Sequence, residues 1–148
     1  MAAENPSHIK MINILTKSFE LSNMKPFGLI HIVDDDEQIR SVIGMILGRT
    51  GYTVATYESP HAYLAQSHEP QREVMLLDIR MPGMSGIELH AHLIEQGQLM
   101  PTIFMSGEYL PHELAAIEAA GCVEFLNKPF GMNPLLSAVE KAFALISP

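Results

Sequence analysis

The stretch "GLIHIVDDDEQIRSVIGMIL", residues 28–47, decides the architecture. An apolar run through Val33 ends on three consecutive carboxylates, Asp34, Asp35 and Asp36. Ile39, Val42, Ile43, Ile46 and Leu47 follow at the i, i+3, i+4, i+7, i+8 spacing of a buried helical stripe. This reads as a strand, an acidic turn and a helix, with Gly51 as the helix stop. Neighbouring carboxylates about 5 Å apart repel by roughly 3 kcal/mol per pair at an effective dielectric of about 20. The acids therefore form either a solvated turn or, with other polar groups, a metal site.

The same unit recurs. Apolar runs "YTVATY" (52–57), "EVMLLD" (73–78), "PTIFMS" (101–106) and "CVEFLNK" (122–128) alternate with helical segments. Ser59 and Pro60 are a cap and a first-turn proline, and Ser85 precedes Glu88 by three residues in a capping-box pattern. Leu110, Leu114 and Ile117 stripe a fourth helix that ends at Gly121. Asn133 and Pro134 open a fifth, carrying Leu136, Val139, Phe143 and Ile146. Parallel strands need crossover connections, so this alternation predicts an α/β fold: a parallel sheet covered by helices on both faces. Burial of both faces explains why the strands read as continuous apolar runs.

With 148 residues, 47% of them hydrophobic and 18% charged, the chain has the size of one soluble domain. Its net charge of -8 argues against nucleic acid or an anionic membrane as a partner and for proteins or cations. The one cysteine, Cys122, excludes an internal disulfide and a multi-thiol zinc site. No stretch reaches the roughly 20 apolar residues of a membrane span, and no secretory signal is evident, so the expected location is cytoplasmic. Residues 1–25 lie outside the repeating pattern. Ile12, Leu15 and Phe19 would share a helix face there, so this extension is expected to be either an amphipathic helix or disordered. The globular body is assigned to residues 26–148.

In an open parallel sheet, reactive groups gather beyond the carboxyl ends of the strands. Asp34, Asp35 and Asp36 lie at the end of the first strand, Asp78 at the third, Ser106 at the fourth and Lys128 at the fifth. Singly, each has an ordinary explanation. Asp36 suits a helix cap, Ser106 a turn, and Lys128 a surface cation laid along its stem. Random placement of polar residues does not favour the same end of four strands.

The motifs "HIVDDDE", "LLDIRMPGMSG", "FMSG" and "FLNKPF", in this order and spacing, resemble the receiver domain of bacterial two-component response regulators, particularly the FixJ type. The resemblance covers about residues 27–147. It implies a flavodoxin-like, doubly wound (βα)5 fold with strand order 2-1-3-4-5, and it implies roles residue by residue. Asp78 matches the phosphoryl acceptor, and Asp34 and Asp35 the acidic pair that holds Mg2+. The backbone carbonyl of Arg80 completes the protein ligands with Asp78. Lys128 matches the site lysine, Ser106 the hydroxyl switch and Phe125 the switch aromatic. It also implies a cis bond between Lys128 and Pro129.

The implied partners are a sensor histidine kinase or histidine phosphotransfer protein and a downstream protein target, with phosphorylation-dependent homodimerisation. The chemistry is consistent, because a divalent cation offsets the carboxylate repulsion and magnesium prefers hard oxygen ligands. As given, the chain ends directly after the fifth helix, so the expected form is a stand-alone receiver or one detached from an output domain. It is expected to catalyse only its own phosphorylation and dephosphorylation. "GEYLPHEL" and Asn127 depart from the FixJ pattern and bear on partner choice.

Arg80 and Glu108 each lie two residues beyond a site residue, and their pairing across the site mouth would gate water. Against this reading stand three others. A phosphatase of the haloacid dehalogenase type wants an Asp where Arg80 stands, and a flavodoxin-type carrier would have its phosphate repelled by "DDDEQ". The third is a receiver-shaped interaction module that works without phosphorylation. None of the seven histidines has convincing ligand spacing, and His90 and His92 are expected to be exposed or partly buried. The ten methionines read as core filler.

Overall fold

The computed structural model describes Lys10 and residues 28–146. The expected helix through Ile12, Leu15 and Phe19 lies outside these residues. Strands β1 (Leu29–Val33), β2 (Thr53–Tyr57), β3 (Glu73–Asp78), β4 (Thr102–Ser106) and β5 (Glu124–Asn127) form one parallel sheet in the order β2-β1-β3-β4-β5. Between and after them run α1 (Glu37–Arg49), α2 (Pro60–Leu64), α3 (Gly86–Glu95), α4 (Pro111–Ala120) and α5 (Met132–Ala144). This is the flavodoxin-like topology that the alternating pattern and the resemblance lead one to expect. Among the described residues no helix is long and apolar enough to cross a membrane.

Alternation along the strands sorts the core into two layers. Ile30 and Ile32 of β1, with Val74 and Leu76 of β3, pack under α1 and α5 against Ile43, Leu47, Leu135, Val139 and Phe143. Val33, Met75, Leu77 and Phe104 pack on the other face against Tyr63, Leu89, Leu93 and Ile117 of α2, α3 and α4. The central strands β1, β3 and β4 are buried almost throughout, whereas the edge strand β2 is at most half-buried, with Thr53 and Thr56 exposed.

The helix ends follow local chemistry. Asp36 Oδ1 accepts from the N–H groups of Gln38 and Ile39, Ser59 Oγ from Ala62, and Ser85 Oγ from Glu88. Gly121 closes α4 at φ 80°, a left-handed conformation that suits glycine.

Three helix readings need correction. Val42 is 51% exposed, because it sits about 120° around the helix from the midpoint of Ile43 and Leu47, outside the buried stripe. Leu110 is not on the buried face of α4 but is its N-cap residue, 47% exposed, with Pro111 starting the helix. The helix α5 opens at Met132, and its buried stripe is Leu135, Ala138, Val139, Ala142 and Phe143. Val139 and Phe143 are in this stripe as expected, whereas Leu136 is half-buried and Ile146 lies beyond the helix end; Leu135 and the two alanines complete the face.

One close approach ties this fold to the sheet edge. A Cβ added at Gly86 would lie 2.0 Å from the carbonyl oxygen of Asp78, and the Gly86 N–H donates to Ile79 O at 2.9 Å. Backbone cannot yield as a side chain can. Gly86→Ala is therefore expected to destabilise by at least about 1–3 kcal/mol. Gly48→Ala, in α1 with nothing within 4 Å of its new methyl, is expected to stabilise by about 0.5–1 kcal/mol. Urea unfolding of both variants checks the contrast.

Candidate functional site

Parallel strands deliver their carboxyl ends to one edge, and there the loops bring groups from separate segments together. Oxygens of Asp34, Asp35 and Asp78 lie within 4.8 Å of one another. Asp34 is fully buried and Asp78 is 4% exposed, while Asp35 faces solvent. The three consecutive acids thus divide their work. Asp34 Oδ1 accepts from the Asp36 N–H at 2.9 Å, which turns the chain, and the Asp34 carbonyl accepts from Arg40 Nη1 at 2.7 Å. Asp36 turns outward to cap α1. Its neighbours Asp34 and Asp35 are left at the site.

Lys128 arrives from the end of β5, where its N–H donates to Ser106 O at 2.8 Å. Its Nζ donates to Asp34 Oδ2 at 2.6 Å and lies 3.3 Å from Asp78 Oδ1. The following peptide bond to Pro129 is cis. Burial, reinforced by the charge of Asp34, pushes the Asp78 carboxyl up to about 6, although Lys128 opposes the rise. Burial lowers the Lys128 ammonium, but its hydrogen bond to Asp34 and the charges of Asp78 and Asp34 outweigh this and hold it raised.

Among the described residues one ammonium faces the three carboxylates, so their charges outnumber it. The cluster's donors are all hard oxygens from closely grouped carboxylates, and that set fits Mg2+ and not a soft thiophilic metal. Asp34, Asp35 and Asp78 are the side chains that would hold such an ion.

The buried Ser106 hydroxyl donates to the Glu108 carbonyl and accepts from the Glu108 N–H at 3.2 Å. Phe125 is half-buried, its ring meeting that of Tyr109 edge-on with centroids 5.0 Å apart. Ser106 ends β4 level with Asn127, whereas Phe125 lies two positions earlier in β5, paired with Phe104.

A family model described as the response regulator receiver domain matches residues 30–140. The chain belongs to the response regulator receiver family. Among curated relatives, the transcriptional regulatory protein FixJ of Rhizobium meliloti is 35% identical over 114 residues, covering 76% of this chain and 55% of that protein. The response regulator protein TmoT of Ectopseudomonas mendocina is 35% identical over 119 residues, 80% of this chain and 54% of its own length. The chain thus spans about half the length of the curated relatives it matches.

Among solved structures, that of FixJ-N superposes with a TM-score of 0.75 at 31% identity, covering 84% of this chain and 99% of that one. Chemotaxis protein CheY4 of Vibrio cholerae gives a TM-score of 0.71 at 27% identity, covering 78% of this chain and 98% of its own. The receiver fold accounts for nearly all the described residues.

Two sequence expectations are redirected. Arg80 does not meet Glu108: its Nη2 donates to Glu113 Oε1 at 2.7 Å, on α4. The turn after Ser106 engages the Glu108 backbone instead, so the two-residue offsets do not bring those side chains together. His90 is neither exposed nor partly buried but 7% exposed, its ring edge-on to Phe104 at 5.2 Å, and burial lowers its pKa.

Sequence reading also missed Arg40, Glu113 and Tyr109. Arg40 lies six residues from Asp34, where a helix turn returns a long side chain to the preceding loop; that spacing was the available signal. Glu113 and Tyr109 carried none, because their partners are distant in the chain.

The raised Asp78 pKa has a definite consequence for stability. The native state binds this proton more tightly than the unfolded chain does. The resulting stabilisation is complete below about pH 3.8 and is lost as pH rises through about 6. In metal-free buffer, Asp78→Asn is expected to add about 1–3 kcal/mol at pH 7 and little near pH 4. Mg2+ is expected to narrow the gap at pH 7 by stabilising the wild type. Thermal melts across pH, with chelator and with Mg2+, measure this; an equal gain at both pH values would place the effect elsewhere.

Proposed function

We propose that this receiver takes a phosphoryl group from a histidine kinase or histidine phosphotransfer protein onto Asp78, and that the modification switches a protein-interaction surface. The carrying observation is the convergence of Asp34, Asp35 and Lys128 on the Asp78 carboxylate. An Asp78 oxygen attacks phosphorus as the bond from phosphorus to the donor nitrogen breaks, and the donor imidazole leaves with that electron pair. The acceptor must be ionised for this, and around neutral pH it is.

Mg2+, held by Asp34, Asp35, Asp78 and the Arg80 carbonyl, would supply charge neutralisation for the phosphoryl oxygens. Lys128 binds one such oxygen from its position beside Asp78. The Ser106 hydroxyl, released from the Glu108 carbonyl, donates to another. Its movement opens space beside β5, and Phe125 turns inward, changing the surface made by α4, β5 and α5. Water attack at phosphorus then cleaves the acyl-phosphate bond, releasing inorganic phosphate and restoring the carboxylate. In this reading the chain is a cytoplasmic signalling protein that turns over only its own phosphate.

Incubation with acetyl phosphate and Mg2+, followed by intact-mass measurement, tests the reading. Wild type is expected to gain one phosphoryl group, Asp78→Asn none, and Lys128→Ala to react at least about tenfold more slowly. Chelation of Mg2+ is expected to stop the reaction. A folded wild-type chain that stays unmodified would favour an interaction module independent of phosphate.

A further inference from the structure

Beside the carboxylate cluster, a cleft of about 560 Å³ runs between α3 and α4. Ile79, Ile87 and Ala116 give it an apolar lining, and Glu88, His112 and Glu113 line it with polar groups. Glu113 is the unusual member. It is 9% exposed, and among the described residues its only contact with a cation is the single-point bond from Arg80 Nη2 to Oε1. The other carboxylate oxygen, Oε2, is buried with no hydrogen-bond partner among the described residues. A buried carboxylate oxygen left without a donor is costly, and it calls for one.

The surroundings favour a cationic donor. From Ile79 to Cys122 the chain carries five glutamates, one arginine and no lysine. Arg80 is itself held loosely, with 46% of its side chain exposed, so losing its bond to Glu113 returns it to water at small cost.

We propose that this cleft docks an arginine side chain carried by a partner protein. The methylene stem lies along Ile79, Ile87 and Ala116, and the guanidinium displaces Arg80 to bond both oxygens of Glu113. Arginine fits better than lysine because its planar fork matches two carboxylate oxygens, whereas an ammonium acts as a point charge. The proposal goes beyond the phosphoacceptor reading and is independent of it, since neither Glu113 nor the cleft belongs to the carboxylate cluster.

The test is a two-dimensional NMR titration of the full chain, unphosphorylated and saturated with Mg2+, with a capped pentapeptide bearing a central arginine between leucines. Expected are saturable shifts at Ile79, Arg80, Glu113 and Ala116. Affinity is expected to fall at least tenfold when citrulline replaces arginine and when the chain carries Glu113→Gln. Arg80→Gln, which removes the competitor, should tighten binding several-fold.

Ala116→Phe, which fills the cleft while keeping the Glu113 carboxylate, should abolish binding, and it decides the matter if Glu113→Gln fails to fold. Equal binding of the citrulline peptide, indifference to Ala116→Phe, or shifts confined to Asp34, Asp35 and Asp78 would overturn the proposal. So would capped arginine alone binding as tightly as the peptide, which would assign the cleft to a small guanidinium compound.

Discussion

One ammonium group, Lys128 Nζ, connects the first, third and fifth strands at the edge where they end. It sits 2.6 Å from a fully buried Asp34 oxygen and 3.3 Å from Asp78. Burying carboxylates away from water is tolerable only when they are paired and hydrogen-bonded. The lysine, the Asp36 N–H and the turn around Asp34 meet that requirement in part. What remains unmet is registered in Asp78, whose carboxyl is driven well above its ordinary range. The site is folded but electrostatically incomplete, a resting condition that suits the phosphoacceptor role proposed for Asp78.

The architecture was legible because its signals are local or periodic. Strand and helix alternation predicted the parallel sheet, and the caps at Asp36, Ser59 and Ser85 were readable from residue type and offset. The grouping of Asp34, Asp35, Asp78 and Lys128 followed from a topological rule, since parallel strands end together. Where the sequence misled, the missing information concerned which neighbours a side chain meets. Val42 has the right spacing for burial, but helix packing centres on Ile43 and Leu47. Arg80 has the right offset to meet Glu108, yet it finds Glu113, thirty-three residues along the chain.

The buried polar groups of the opposite sheet face illustrate the same limit. His31, in the middle of β1, is 1% exposed, with its two ring nitrogens near Tyr57 Oη at 3.0 Å and Glu73 Oε2 at 2.9 Å. Tyr63 and His68 enclose it with their rings. A carboxylate oxygen only accepts, so the arrangement fits the tautomer that carries the hydrogen on Nε2 and donates to Glu73, while Nδ1 accepts from the Tyr57 hydroxyl. Nothing in "LIHIV" announces this network. It exists because β2 and β3 flank β1 in register and supply matching partners.

The partition of labour among Asp34, Asp35 and Asp36 makes the first turn a ruler with no slack. One acid must face inward, the next must stand at the edge, and the third must start a helix, all within consecutive peptide units. Inserting a single residue between Asp35 and Asp36 would uncouple the helix start from the strand end and withdraw the Asp36 N–H from Asp34. Lengthening the connection from α2 to β3, whose residues 65–67 and 69–71 are exposed, would disturb neither. Natural and engineered length variation in this chain should accordingly be concentrated after the second helix and excluded from the acid triplet.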